Sequence, residues 1–240
     1  PPRSTLFPYT TLFRSQAEVT KLRAEVASLR KDVDALSKQP STRTKSAAKS
    51  QEDTRIYDIP MGDSPVMGRI DAPITIAVFS DFQCPYCVQE FPKIQKILSE
   101  YPNKVKMVYK HFPLAFHKQA PTAHAAAIAA LNQKGSDGFW KIHDMILSEP
   151  KKLDTASLRI YAEALGLDLA ELEKQWADPT LISELLKADK ELAVKCNVRG
   201  TPTIFVNGLK LSDRSLDGYR KRIDSIQVPS EETKVGLVAK

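Results

Sequence analysis

Cysteine, tryptophan and glycine are scarce in this chain: three, two and nine residues among 240. Three cysteines are too few for a disulfide framework, and one stays unpaired whichever two join. No run of about 18 apolar residues appears, so no membrane-spanning helix is visible, and no apolar stretch follows a basic start as it would in a secretory leader. A cationic surface is also missing. The net charge is +6, but residues 1–58 alone carry 11 Lys/Arg against 7 Asp/Glu, and the remainder is nearly balanced at 24 against 22. No Lys/Arg cluster in that remainder interleaves with aromatics, so nucleic-acid binding is not expected. What is present is 42% apolar residues, enough to pack a core.

Four segments differ in texture. LFPYTTLFRS, at 6–15, resembles without a mismatch the translation of a common short-read sequencing adapter. Residues 1–15 are therefore set apart from the fold, and the native N-terminus is expected to be missing, together with any leader or membrane anchor it carried. Residues 16–38 form a heptad repeat with Val19, Val26 and Val33 at a and Leu22, Leu29 and Leu36 at d. Glu18 and Glu25 at g face Arg23 and Arg30 at e of an in-register parallel partner, which predicts a homo-oligomeric coiled coil. Three heptads span only about 30 Å and are marginal alone. Subunit number stays open. Residues 39–55 are polar, rich in Ser, Thr and Lys and without apolar period, as in a flexible tether.

Residues 56–240 read as one α/β domain. PITIAVFSDF predicts a buried strand leading directly through CPYC into a helix, and NKVKMVYKHFPL predicts a second strand. TPTIFVNGLKL predicts a hairpin turning at Asn207 and Gly208. A helical block, about 116–197, lies between the second strand and the hairpin, punctuated by Pro150, Gly166 and Pro179. A last helix over roughly 215–226 follows.

Cys84 and Cys87 thus stand at a strand-to-helix junction. Free N–H groups and the positive dipole end at a helix start favour thiolate at the first cysteine. Cys84 is then the nucleophile, and Cys87, one turn on, the thiol that resolves a mixed disulfide. Pro85 suits the first helical position, where a missing N–H costs least. A lone CxxC also looks like half a zinc site. Zinc would need two further ligands, formally Cys196 with one of His111, His117, His124 or His143, but no second CxxC, HxxxH or CxH spacing accompanies them. No metal and no cofactor is expected. Cys196 lies four residues from Leu192 and eleven from Leu185, on one helix face, and reads as a buried inert thiol.

SDFQCPYC, KHFPLAFHKQA, FWKIHDMIL and VRGTPTIFVNG, in that order, resemble the thioredoxin superfamily and, more narrowly, its DsbA-like family. The likeness runs over about 59–227. It implies a thioredoxin-like fold with an inserted helical domain, and a thiol–disulfide oxidoreductase acting on protein substrates with a redox partner protein to regenerate it. It also implies a cis Thr201-Pro202 bond facing Cys84, with the Thr201 backbone pairing to an extended substrate. Pro85 and Tyr86, between the cysteines, would tune the redox poise; the histidine of strongly oxidising DsbA enzymes is absent there. The coiled coil resembles oligomeric ScsC-type isomerases, which sets isomerase or reductase use ahead of a monomer-like oxidase or a non-catalytic adaptor or chaperone. Such enzymes work in the periplasm or elsewhere in the cell envelope.

Overall fold

The computed structural model describes residues 20, 21, 23–28, 30, 31 and 53–227. It falls into two compact units, 1–51 and 52–240, each described by itself. In the first, the described residues between 20 and 31 are helical and exposed. The adapter-like segment, most of the heptad core positions and most of the tether lie outside the described residues.

The second unit is built on a five-stranded sheet in the order β1-β3-β2-β4-β5. Its strands are β1 (Val66–Met67), β2 (Ile74–Ser80), β3 (Val105–His111), β4 (Thr203–Val206) and β5 (Leu209–Lys210). β2 runs parallel to β3, the other pairs antiparallel. Central β2 reads ITIAVFS because both of its faces are covered. With the period of two, Ile74, Ile76 and Val78 enter the main core, while Ala77 and Phe79 enter a second cluster with Phe205, Val198 and Cys196. Each large apolar side chain so buried contributes about 1.5–3 kcal/mol. The edge strands are two residues long, which limits edge-to-edge pairing.

Helix α1 (Pro85–Glu100) connects β2 to β3. Four helices then separate β3 from β4: α2 (Ala120–Ser148), α3 (Thr155–Ala164), α4 (Leu169–Ala177) and α5 (Pro179–Lys195). α2 is two helical segments joined at Gly135, whose φ of 67° and ψ of −166° leave the helical region. Its alanines let neighbours approach on two sides: Ala123, Ala126, Ala127 and Ala130 in the main core, Ala125 against Ile182 and Leu186 of α5. Asp154, Asp168 and Asp178 cap α3, α4 and α5, each accepting from an N–H of the first turn. Helix α6 (Leu216–Asp224), capped by Ser215, returns along α1.

The hairpin turns at Asn207 and Gly208, with φ of 47° and 79°, the left-handed pair a two-residue loop requires. Gly208 also lets the Tyr57 N–H reach its carbonyl at 2.8 Å. A Cβ there would collide with the Tyr57 carbonyl oxygen. Gly208→Ala is therefore expected to lower stability by about 2 kcal/mol or more, read as a lower midpoint of chemical denaturation. An unchanged midpoint would show that the 56–57 segment yields without cost.

Candidate active site

The segment between β2 and α1 is shaped by Asp81, which is fully buried. Its Oδ1 accepts from the Gln83 N–H at 2.7 Å, an Asx turn within the loop. Oδ2 accepts from the Leu114 N–H at 2.7 Å and meets His117 Nδ1 at 2.7 Å. The Asp81 carbonyl accepts from the Cys84 N–H. Gln83 Oε1 takes the Gln119 N–H at 3.0 Å, so the 114–119 loop is tied to the cysteine loop at several points. Phe116, on that loop, is exposed, as is Tyr86 between the cysteines.

Cys84 is the N-cap residue of α1, and Pro85 its first helical residue. The caps of α3 to α6 occupy their helix ends with an oxygen, but the α1 end has no side-chain cap. Its dipole end and first N–H groups are left to the sulfur. The Cys84 pKa is accordingly lowered to about 5, first by the hydrogen bond Cys87 can give it, then against the opposing effect of burial by the Thr201 hydroxyl and the Cys87 and Tyr86 N–H groups. The Cys87 pKa moves the opposite way, raised by its bond to Cys84 and by burial. Both thiols are free, and both residues are buried, at 3% and 4% exposure.

The Thr201-Pro202 bond is cis. It brings the Thr201 carbonyl to 3.4 Å from Cys84 Sγ, where the neutral thiol donates to it. The Thr201 hydroxyl is buried and has no partner beside the neutral thiol, consistent with the donation it makes once Cys84 ionises. The structure thus brings Cys87, the Tyr86 N–H and Thr201 to the Cys84 sulfur, with Pro85 opening the helix and Pro202 on the cis bond, residues the sequence placed in two strings. Cys196 stands apart. It follows the last residue of α5 and packs with Ala193, Phe205 and Val198, its pKa raised by burial. Leu185, on the same helix face, instead meets Ile182 and Leu186. Eleven residues are about 16 Å of helix, far enough to meet different neighbours. Among the described residues, no three His, Cys, Asp or Glu side chains are grouped to hold a metal ion.

Two polar residues of this loop are not singled out from sequence in the part they take here: Asp81, and His117, which the sequence offers only as a formal zinc ligand. Asp81 carried a usable signal, since Asp two residues before the N–H it accepts is turn chemistry.

This arrangement can do thiol chemistry. One sulfur is stable as thiolate and a second, kept protonated, stands within reach, beside a backbone carbonyl presented by a cis-proline loop.

Comparison with known proteins agrees. A thioredoxin family model matches residues 61–225, well over half of the chain. Disulfide bond formation protein D of Bacillus subtilis is 31% identical over 155 residues, covering 60% of this chain and 67% of that protein. The Na(+)/H(+) antiporter NhaA 3 of Salinispora tropica is 39% identical over 144 residues, 60% of this chain. The chain spans only about a fifth of that antiporter's length, 21%. Among solved structures, oxidised BdbD from Bacillus subtilis superposes with a TM-score of 0.61 at 26% identity, over 72% of this chain and 97% of that one. With the matched domain spanning most of the chain and the helices inserted between β3 and β4, the chain belongs to the thioredoxin superfamily, in its DsbA-like form.

Proposed function

We propose that the chain is a thiol–disulfide oxidoreductase of protein substrates, with Cys84 as the attacking thiolate and Cys87 as the resolving thiol. The observation that carries this reading is the opposed ionisation of the two sulfurs, Cys84 lowered to about 5 and Cys87 raised, beside the Thr201 carbonyl. Reduced Cys84 attacks one sulfur of a client disulfide and expels the other client sulfur as a thiolate, which takes a proton. Cys87 then loses its proton and attacks Cys84 Sγ, releasing the client dithiol and leaving Cys84 and Cys87 joined; two electrons pass to the client. If instead the expelled client thiolate attacks another client disulfide and Cys84 is finally displaced, the client is isomerised with no net electron transfer.

Isomerase or reductase use in a homo-oligomer joined through residues 16–38 is the fuller form of the proposal. Several sites tethered by 39–55 around one hub raise the local concentration of thiolate near a misfolded client. Pro85 and Tyr86 tune the pair, and Thr201 and Pro202 face the client backbone. A redox partner protein resets the cysteines, and the compartment is extracytoplasmic, periplasmic or elsewhere in the cell envelope, where exchangeable disulfides persist. Disulfide oxidation is the second reading. It is favoured by the name of the Bacillus subtilis relative and by the Cys84 thiolate being a good leaving group. The antiporter relatives match over about a fifth of their own length, and their named activity is not carried to this chain.

Refolding of a scrambled-disulfide protein separates the two. A chain starting at Gln16 is compared with one starting at Arg55, at equal active-site concentration. Loss of unscrambling without the coiled coil, with dithiol oxidation intact, is the expected result. If neither chain unscrambles and both oxidise equally, the enzyme is an oxidase and residues 16–38 serve placement or partner binding.

A further inference from the structure

Glu90 is buried on α1, three residues beyond Cys87. A buried carboxylate persists only when paired and hydrogen-bonded. Its Oε1 accepts from the Tyr219 hydroxyl of α6 at 2.9 Å, its Oε2 from Lys93 Nζ at 2.8 Å. Arg214, in the turn before α6, places Nη1 at 3.9 Å from the same Oε2 and donates from that nitrogen to the Pro202 carbonyl at 3.3 Å. Lys93 Nζ closes the ring by donating to the Arg214 carbonyl at 3.1 Å. Glu90, Cys87 and Pro202 also line one cavity of about 10 Å³, room for about one water.

The helix carrying both cysteines, the cis-proline loop and the start of α6 are therefore tied to one carboxylate. Pro202 has no N–H, so a side chain can hold this residue's backbone only through its carbonyl. Arg214 takes that carbonyl, and Thr201, one residue upstream, stays turned to Cys84.

We propose that Arg214, seated on buried Glu90, is a positioning residue that holds the Thr201-Pro202 backbone at its working distance from Cys84, so that client binding depends on it and the reactivity of the sulfur does not. The proposal deepens the thiol–disulfide reading and rests on it. Guanidinium suits the task because one planar group faces a carboxylate and a carbonyl together.

The test uses the full chain and a peptide containing one disulfide, with excess reduced glutathione to return the Cys84–Cys87 disulfide to the dithiol after each turnover and the uncatalysed reduction subtracted. Arg214→Ala is expected to raise KM for the peptide about five- to tenfold, the loss of one charge-assisted hydrogen bond, with kcat within about twofold. The pH midpoint of Cys84 alkylation by iodoacetamide is expected to stay in place. Arg214→Lys, which keeps a cationic donor beside Glu90, is expected to recover most of the KM. If Arg214→Ala does not fold, Arg214→Gln carries the same comparison. An unchanged KM, a fall confined to kcat, or a moved alkylation midpoint overturns the positioning role. A wild-type chain that exchanges no disulfide with the peptide overturns the functional reading, and the positioning role with it; an active wild type beside an unaltered Arg214→Ala overturns the positioning role alone.

Discussion

Replacing Cys84 by serine is expected to abolish thiol–disulfide exchange, lowering the rate by about three orders of magnitude or more, while Cys87→Ser is expected to keep the attack and accumulate client joined to Cys84. The asymmetry follows from their places on α1. Cys84 sits at the uncapped helix end with its pKa lowered to about 5, so at neutral pH it is almost wholly thiolate, the form that attacks and leaves. Cys87 is pushed up by its bond to Cys84 and by burial, so it stays protonated until a mixed disulfide removes its partner's charge. Non-reducing electrophoresis of each variant after incubation with a disulfide protein reads both outcomes. Client trapped by Cys84→Ser through Cys87 would reverse the two roles. Full biological effect from Cys84→Ser would favour an adaptor or chaperone. The same shift has a pH signature. A thiol whose folded pKa is depressed contributes stability that is complete above its unfolded value, near 9, and is lost as pH falls towards 5. The reduced domain should therefore gain stability over the disulfide form, which has no ionisable sulfur in the pair, as pH rises through that window.

The second large effect is acid instability. His111 and His124 are buried with their Nδ1 atoms 2.7 Å apart, one donating to the other, and Nε2 of each has no partner. Phe82 packs on His124, Tyr109 on His111, and His143 joins them beneath Phe91. Burial pushes the His111 pKa down to about 3, with Lys110 and His143 adding repulsion; His124 is lowered well below its ordinary value by burial, then by His111, Lys190 and His143. His143 moves the same way by burial, partly offset by Asp144. All three stay neutral when folded, whereas unfolded they protonate below about 6.5. The unfolded state then binds more protons, so stability is full above about pH 6.5 and falls as pH drops towards 3. At about 1.4 kcal/mol per group and pH unit, His111 alone removes about 2–3 kcal/mol between pH 6.5 and 4.5, a sizeable part of an ordinary domain's stability, and His124 acts in the same direction. Half-buried Asp189, whose pKa is raised by desolvation, acts in the opposite sense and offsets part of this. Denaturant titrations at pH 7.5 and 4.5 should differ accordingly, with net proton uptake on unfolding near pH 5. Equal midpoints would show that water or a shared proton stabilises the charged pair inside. Because Phe82 lies two residues before Cys84 and Phe91 is on α1, the same loosening would reach the active site.

The places of Cys84, Cys87 and the Thr201-Pro202 pair were legible in the sequence because each lies within a short string whose local geometry its own residues dictate. CPYC after an apolar strand puts Cys84 at a helix start, where N–H groups are unsatisfied whatever the rest of the chain does. Asn207-Gly208 between apolar runs specifies a two-residue turn, and Pro and Gly divide the helical block. The order of motifs indicated the family. Separations decided the rest. Asp81 meets His117 36 residues away, Cys84 meets Thr201 across 117, and Glu90 meets Tyr219 across 129. Hydrophobic period reports which face of an element is buried, not which distant element buries it, so no pattern in the string announces that one carboxylate will gather α1, α6 and the cis-proline loop. The histidines show the same limit: as isolated letters His111 and His124 are formal zinc ligands at most, and only the closed aromatic core shows the two joined by one Nδ1 hydrogen bond. The sequence determined that two cysteines stand at one helix start; tertiary packing decided what holds them in place and at what pH they stay there.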